Sequence, residues 1–335
     1  MFLTDAAAAG LPQTLLAGDA LIGDSAAMRE VFRLIARVAP TDATVLLTGE
    51  SGSGKELVAA AIHARSARRA GPLVAVNCGA IPAGLIEAEL FGHERGSFTG
   101  AIRAHAGVFE RARGGTLLLD EVTEMPQDMQ TRLLRVLETR TFSRVGASSE
   151  LAADVRVIAA TNRCPLEAVD SAKLRADLLY RLAVFPIDLP PLRRRGEDVV
   201  LLADHFLAMH NLRERTHKRL SALARLTLAQ HSWPGNVREL KNCIEHAFIL
   251  ADEVLELAPL AQRGACGSGS AAEAGACLEI RVGSRIEEME RCLIEATLDH
   301  CRGNKRRAAD TLGCSLKTLY NKLHEYSQSA RCAAG

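Results

Sequence analysis

The sequence predicts a three-layer α/β domain on a parallel sheet, then an α-helical subdomain, then a small all-α helix-turn-helix module. Three observations carry this. From Thr44 to about Asp188, short apolar runs alternate with helical segments, the pattern of parallel strands joined by crossover helices. From Asp198 to about Glu256 the pattern is helical only. Beyond a stretch rich in Gly, Ser and Ala over residues 261–277, two short helical patterns meet at a Gly, as they do in a helix-turn-helix.

Each element has its own signal. Residues 1–20 carry no motif and read as a short arm. Ser25 can cap a helix whose apolar positions are Met28, Phe32, Ile35 and Val38, and Pro40 stops it. The expected strands are Val45–Leu47, Leu73–Val76, Thr116–Leu119, Val155–Ala159 and Val184–Ile187. The run Arg193, Arg194, Arg195 reads as a solvated basic surface. The expected divisions are an arm over 1–20, an α/β subdomain over 21–190, a helical subdomain over 191–258, a linker over 259–278 and the helix-turn-helix module over 279–335. In that last module Asn304 and Ser315 each cap a helix, Gly313 makes the turn, and Leu316, Leu319 and Leu323 face inward.

Composition excludes several classes. Aromatic residues are only 4 % of the chain, so aliphatic side chains and Ala must fill its core. The nine Cys are odd in number and form no Cys-x-x-Cys pair, which argues against a disulfide framework or a zinc knuckle. No apolar run reaches membrane-spanning length, and the first basic residue is Arg29, so a cytoplasmic protein without a membrane partner is expected. Charge is uneven at the C-terminal end. Residues 277–300 hold three Arg against six acids, whereas residues 301–326 hold six Lys or Arg against Asp310 and Glu325. A basic end on a helical module suits a DNA reader, and a solvated face is the alternative.

The chemistry lies in two stretches. The apolar run Thr44–Thr48 leads into Gly49-Glu50-Ser51-Gly52-Ser53-Gly54-Lys55 and then a helical pattern. Strand, Gly-rich turn, Lys and helix make a phosphate cradle, with backbone N–H groups facing the phosphates and Lys55 as a mobile positive charge. Glu56 stands where a magnesium-holding Ser or Thr is usual, so a structural turn with a solvent-facing Lys is the alternative. The second stretch is Thr116–Leu119 followed by Asp120 and Glu121, at a strand's carboxyl end. Asp120 can hold Mg2+ directly or through water, and Glu121 can polarise an attacking water; two solvated acids are the alternative. A third stretch, Gly96-Ser97-Phe98-Thr99-Gly100-Ala101, places Phe98 and Thr99 on a flexible tip. That suits a partner contact, or else a Gly-rich turn with a buried Phe.

Taken together, these motifs resemble the AAA+ ATPase activators of sigma-54 RNA polymerase, the bacterial enhancer-binding proteins, over about residues 20–255 and again over about 285–326. The usual loop there is Gly-Glu-Ser-Gly-Thr-Gly-Lys-Glu, so Glu56 is normal and only Ser53 differs. The signature insertion is Gly-Ala-Phe-Thr-Gly-Ala, from which Ser97 departs. Val76–Ala80, Glu89–Glu94, Asp154–Asn162 and Trp233–Leu240 agree as well. The resemblance implies an AAA+ P-loop fold with an α-helical lid and a Fis-type helix-turn-helix. It implies ATP bound by residues 49–56, with Lys55 on the β- and γ-phosphates, Mg2+ at Asp120 and the attacking water at Glu121. Asn77 resembles the switch Asn that restrains the catalytic Glu, Thr161 and Asn162 the first sensor, and Arg238 the lid-borne sensor.

Further implications concern partners. Arg175 and Arg181 resemble arginine fingers reaching a neighbouring subunit, which implies a homo-oligomer, a dimer up to a hexameric ring. Gly96–Ala101 would contact sigma-54 within the RNA polymerase holoenzyme. Lys305, Arg306, Arg307, Ser315, Lys317, Thr318, Tyr320, Asn321 and Lys322 would bind double-stranded enhancer DNA. Members often carry a receiver or sensor domain before the ATPase; the twenty residues here cannot bury a core of their own, so control by the protein's abundance or by a separate protein in trans is expected. Another AAA+ class, such as a chelatase or helicase loader, is the first rival, and Gly96–Ala101 argues against it. A DNA-binding repressor with a vestigial ATPase is the second, and intact Lys55, Asp120 and Glu121 argue against that.

Overall fold

The computed structural model describes residues 21–82, 84–97, 103–257, 286–301 and 304–323. The expected arm, the loop tip Phe98–Ala101, the linker and the outer ends of the last module lie outside the described residues. The chain divides near residue 264 into two units.

The first unit opens with α1 (Ala26–Val38). Ser25 Oγ accepts from the Met28 amide, and Met28, Val31, Ile35 and Val38 form the buried stripe. Then come β1 (Val45–Thr48), α2 (Lys55–Ala64), β2 (Leu73–Asn77), α3 (Ile86–Phe91), α4 (Val108–Arg111) and β3 (Thr116–Asp120). They are followed by α5 (Gln127–Thr139), β4 (Thr141–Phe142), β5 (Leu151–Ala152), β6 (Arg156–Thr161), α6 (Pro165–Asp170), α7 (Ala176–Leu182) and β7 (Phe185–Asp188). Strands β2, β3, β6, β1 and β7 form one sheet in that order, paired in parallel throughout.

Alternate residues of the central strands enter different cores. Leu46, Leu117, Leu119, Val157 and Ala159 pack with Leu90, Phe91, Phe109 and Leu133 on one face. Val45, Leu47, Leu118, Ile158 and Ala160 pack with α1 and α2 on the other. Both faces are therefore covered, as a parallel sheet requires. Arg156 is buried at the start of β6 and donates to the Val38 and Ala39 carbonyls at 2.8 Å, closing the open end of α1.

All five expected strands form, and each runs one or two residues further toward its carboxyl end. A polar side chain reads as a stop in the sequence, but the ladder uses the backbone, so Asn77 still pairs with Asp120 and Thr48 with Thr161.

The rest of the first unit is α8 (Asp198–Glu214), β8 (Arg219–Leu220), α9 (Ala222–Gln230), α10 (Asn236–Leu250) and β9 (Val254–Leu255). Its core surrounds Trp233, which is fully buried and donates from its indole N–H to the Leu228 carbonyl at 2.9 Å. The helical-only expectation needs correcting here, because β8 pairs with β9 in parallel. Two residues are too few to show an alternating pattern; the antiparallel pair β4 and β5 escaped notice for the same reason.

The second unit holds α11 (Ile286–His300), α12 (Lys305–Leu312) and a helix over 316–323. Asn304 Oδ1 accepts from the Arg307 amide and Ser315 Oγ from the Thr318 amide, so both expected caps form. Gly313 takes the left-handed turn at φ +68. Leu319 is buried with Ala308 and Ala309, and Leu323 packs beside them. Leu316 is 41 % exposed, contrary to expectation: one turn before Leu319, it lies beyond this small cluster.

Candidate functional site

The loop from β1 into α2 is shaped by glycines at positive φ. Gly52 (φ +74) is tightly approached: a Cβ there would lie 2.4 Å from the Gly235 carbonyl oxygen. Lys55 is 8 % exposed and donates from Nζ to the Gly49 and Glu50 carbonyls at 2.7 and 3.1 Å. Burial lowers its pKa, opposed by the charges of Asp120 and Glu121. The first amides of α2 have no partner within the helix and open toward the same space. Amides, an ammonium and a nearby carboxylate are the donor set that a triphosphate with Mg2+ requires.

The acids stand two strands away, with β6 between. Parallel register sets Asn77 beside Asp120, and Asn77 Nδ2 donates to Asp120 Oδ2 at 3.4 Å. The Asn77 Oδ1 accepts from the Gly79 and Ala80 amides, which fixes the side chain. Glu121 lies beyond the strand end with φ 52, a left-handed conformation that costs a non-Gly residue about 1–2 kcal/mol. A Cβ at Gly79 would come within 2.8 Å of Glu121 Oε2, so Gly79 makes room for that carboxylate, a role no local pattern signals.

The cleft between these groups, about 370 Å³, is closed by Val237, Arg238 and Phe206 from the helical subdomain. Arg238 donates to Ser51 Oγ at 3.0 Å. Thr161 is buried, its hydroxyl engaged with Thr123 and the Arg163 amide, while Asn162 is exposed. Asn236, fully buried at φ 54, donates to Glu50 Oε2 and the Ser51 carbonyl and accepts from the Leu192 amide. The run Arg193–Arg195 is not simply solvated. Arg195 is 2 % exposed and donates to the Ser53 and Pro190 carbonyls. Arg193 grips the Glu50 carboxylate with both terminal nitrogens, one at 2.8 Å. Glu50 and Ser53 lie more than 140 positions away, which no local pattern reveals. Arg193, then Asn236, hold Glu50 at a pKa of about 2.

The Gly96 stretch is closed at its base. His93 and His105 exchange backbone hydrogen bonds at 3.0 and 2.9 Å, and the Glu94 amide donates to the Val145 carbonyl in the β4–β5 connection. Arg144 bonds Glu94 at 3.0 Å and Glu110 at 2.8 and 2.6 Å. Gly96 has φ +83, and Ser97 Oγ donates to the Glu94 carbonyl.

Residues 21–188 match the sigma-54 interaction domain, 193–273 the AAA+ ATPase lid domain, and 285–326 the Fis family of bacterial regulatory proteins. The chain belongs to the sigma-54 activator family. It is 44 % identical over 315 residues to the transcriptional regulatory protein FlbD of Caulobacter vibrioides, covering 90 % of this chain and 69 % of FlbD. It is 46 % identical over 314 residues to the nitrogen fixation protein AnfA of Azotobacter vinelandii, covering 92 % of this chain but 58 % of AnfA. The structure of NtrX from Brucella abortus in complex with ATP aligns at TM-score 0.70 and 34 % identity, covering 91 % of this chain and 68 % of that one. This activator thus joins an ATP-binding AAA+ domain to a DNA-binding helix-turn-helix. Among the described residues, no helix is long and apolar enough to cross a membrane.

The remaining family positions fall outside the cleft wall. Arg175 precedes the first residue of α7 and pairs with Asp177, while Arg181, exposed, donates to the Leu137 carbonyl. In the second unit Lys305, Arg306, Arg307, Ser315, Lys317, Thr318, Tyr320 and Asn321 are exposed, with Lys305 over the Tyr320 ring at 4.7 Å. Lys322 differs, being partly buried and paired with Glu290 of α11.

Cys78 offers a test of the site's description. It follows Asn77, its amide donates to the Asp120 carbonyl at 2.9 Å, and it is 2 % exposed. Burial, then the charges of Asp120 and Glu121, push its thiol up to about 12. Iodoacetamide at pH 8 should label exposed Cys164 readily and leave Cys78 unmodified until the chain unfolds, as read by peptide mass spectrometry. Equal labelling of the two would contradict this packing.

Proposed function

We propose that the chain is an ATP-driven activator which, bound at an enhancer, remodels the closed sigma-54 polymerase complex into an open one. The observation that carries this reading is the union, in one α/β subdomain, of a phosphate cradle facing two acids with the clamped Gly96–Ala101 loop. Lys55 and the amides of residues 52–56 hold the triphosphate, and Arg238 meets it from the lid. Asp120 holds Mg2+ directly or through water; when bound, the ion neutralises phosphate charge. Glu121 polarises the attacking water, Asn77 holds the acid pair in place, and Thr161 with Asn162 reads the γ-phosphate. Phe98 and Thr99 press on sigma-54. We place the protein in the cytoplasm, with its DNA and polymerase.

Arg175 and Arg181 serve the neighbouring subunit's nucleotide in a homo-oligomeric ring. Their absence from this chain's own cleft wall supports that reading. The exposed residues of the helix-turn-helix hold double-stranded DNA, and a separate protein acting in trans sets the level of activity.

Three measurements test this. Glu121→Gln should bind ATP within about two-fold of wild type yet lose roughly 100-fold or more in phosphate release, whereas Lys55→Ala should lose binding itself; wild-type turnover by Glu121→Gln sinks the assignment. Thr99→Ala should keep hydrolysis but form no open complexes with sigma-54 holoenzyme, by permanganate footprinting; normal opening removes the loop from the mechanism. Arg175→Ala mixed with Lys55→Ala should regain some turnover that neither has alone, because a mixed interface unites an intact Lys55 with an intact Arg175. No gain at any mixing ratio contradicts the trans role.

A further inference from the structure

The charges around the cleft are balanced closely. Lys55, Arg238 and Lys241 line it against Glu56, Asp120 and Glu121, three of each sign. A triphosphate therefore meets no surplus of positive charge from the walls. Glu50 adds a fourth acid within the loop itself: its backbone carbonyl accepts from Lys55 Nζ, and its side chain turns to the lid. That side chain is useful there, because Asn236 bridges it to the Ser51 carbonyl and so ties loop to lid. The tie keeps a carboxylate in the loop whose next two residues, Ser51 and Gly52, line the cleft. Arg193, from the turn between β7 and α8, covers both of its carboxylate oxygens.

We infer that Arg193 is a positioning residue for nucleotide binding: it neutralises Glu50, so that the phosphate loop can be tied to the lid without repelling a nucleoside triphosphate. The inference rests on the nucleotide reading above and concerns residues that reading leaves without a role. Arg195 completes the arrangement from beneath, holding the Ser53 carbonyl. It bonds main chain only in this loop, so its task is shape, whereas that of Arg193 is charge.

The two roles separate in a double-mutant cycle. A fluorescent ATP analogue is titrated into the full chain at low salt. Arg193→Gln should bind about three- to ten-fold more weakly than wild type, the range for an uncompensated, half-exposed charge near a ligand. In a Glu50→Gln background, where no carboxylate remains to be neutralised, adding Arg193→Gln should do no further harm. Arg193→Lys, which keeps the charge and loses the fork, should stay within about two-fold. The Arg193→Gln defect should shrink at roughly 1 M salt, where the screening length falls to about 3 Å. Circular dichroism melts confirm that each variant is folded.

If Arg193→Gln weakens binding as much in the Glu50→Gln background as it does alone, the pair is a structural tether and the inference is overturned. A defect in Arg193→Lys equal to that in Arg193→Gln overturns it as well. Failure of wild type to bind the analogue overturns the nucleotide reading first, and this inference with it.

Discussion

The side chain of Asn236 joins three parts of the first unit. It accepts from the Leu192 amide, donates to Glu50 and donates to the Ser51 carbonyl, all while fully buried. Its backbone is left-handed, which Asn tolerates better than most residues. One residue on, the Val237 amide donates to the Gly52 carbonyl. The phosphate loop thus takes its shape from the helical subdomain as much as from the strand that precedes it. A Cβ at Gly52 would collide with the Gly235 carbonyl oxygen, so this closeness depends on the absence of a side chain. The cleft is built by contact between subdomains, and its geometry will follow any rotation of α10.

Much of the fold was legible because its signals are local. The five strands are short apolar runs ended by polar residues, and the loop and the acids stand at two of those ends. The caps Ser25, Asn304 and Ser315 could be named because a cap acts on its own helix. The misreadings share one cause. Arg193 and Arg195 form a basic run in the sequence, but their partners are Glu50 and the Ser53 carbonyl, far away along the chain. Gly79 looks like any turn glycine until the Glu121 carboxylate is placed against it. Such pairings arise in three dimensions, and a pattern along the chain holds no trace of them.

Two kinds of polar anchoring coexist in the first unit. Arg156 and Arg195 are buried and give their protons to backbone carbonyls, so they close a helix end and a loop. Arg144 and Arg193 are more exposed and meet carboxylates, so their effect depends on charge and is weakened by salt. The first kind maintains the scaffold, and the second adjusts surfaces where a ligand or a partner arrives.

The bridge between His93 and His105 sets a limit on reach. Only eleven residues, 94–104, lie between these two positions. A chain closed at its base must go out and return, so whatever path residues 98–102 take, its tip can lie no more than about 20 Å from the bridge. A loop of this length could touch only a target that sits almost against the surface that carries it. Length alone therefore makes any contact through this tip one of close approach.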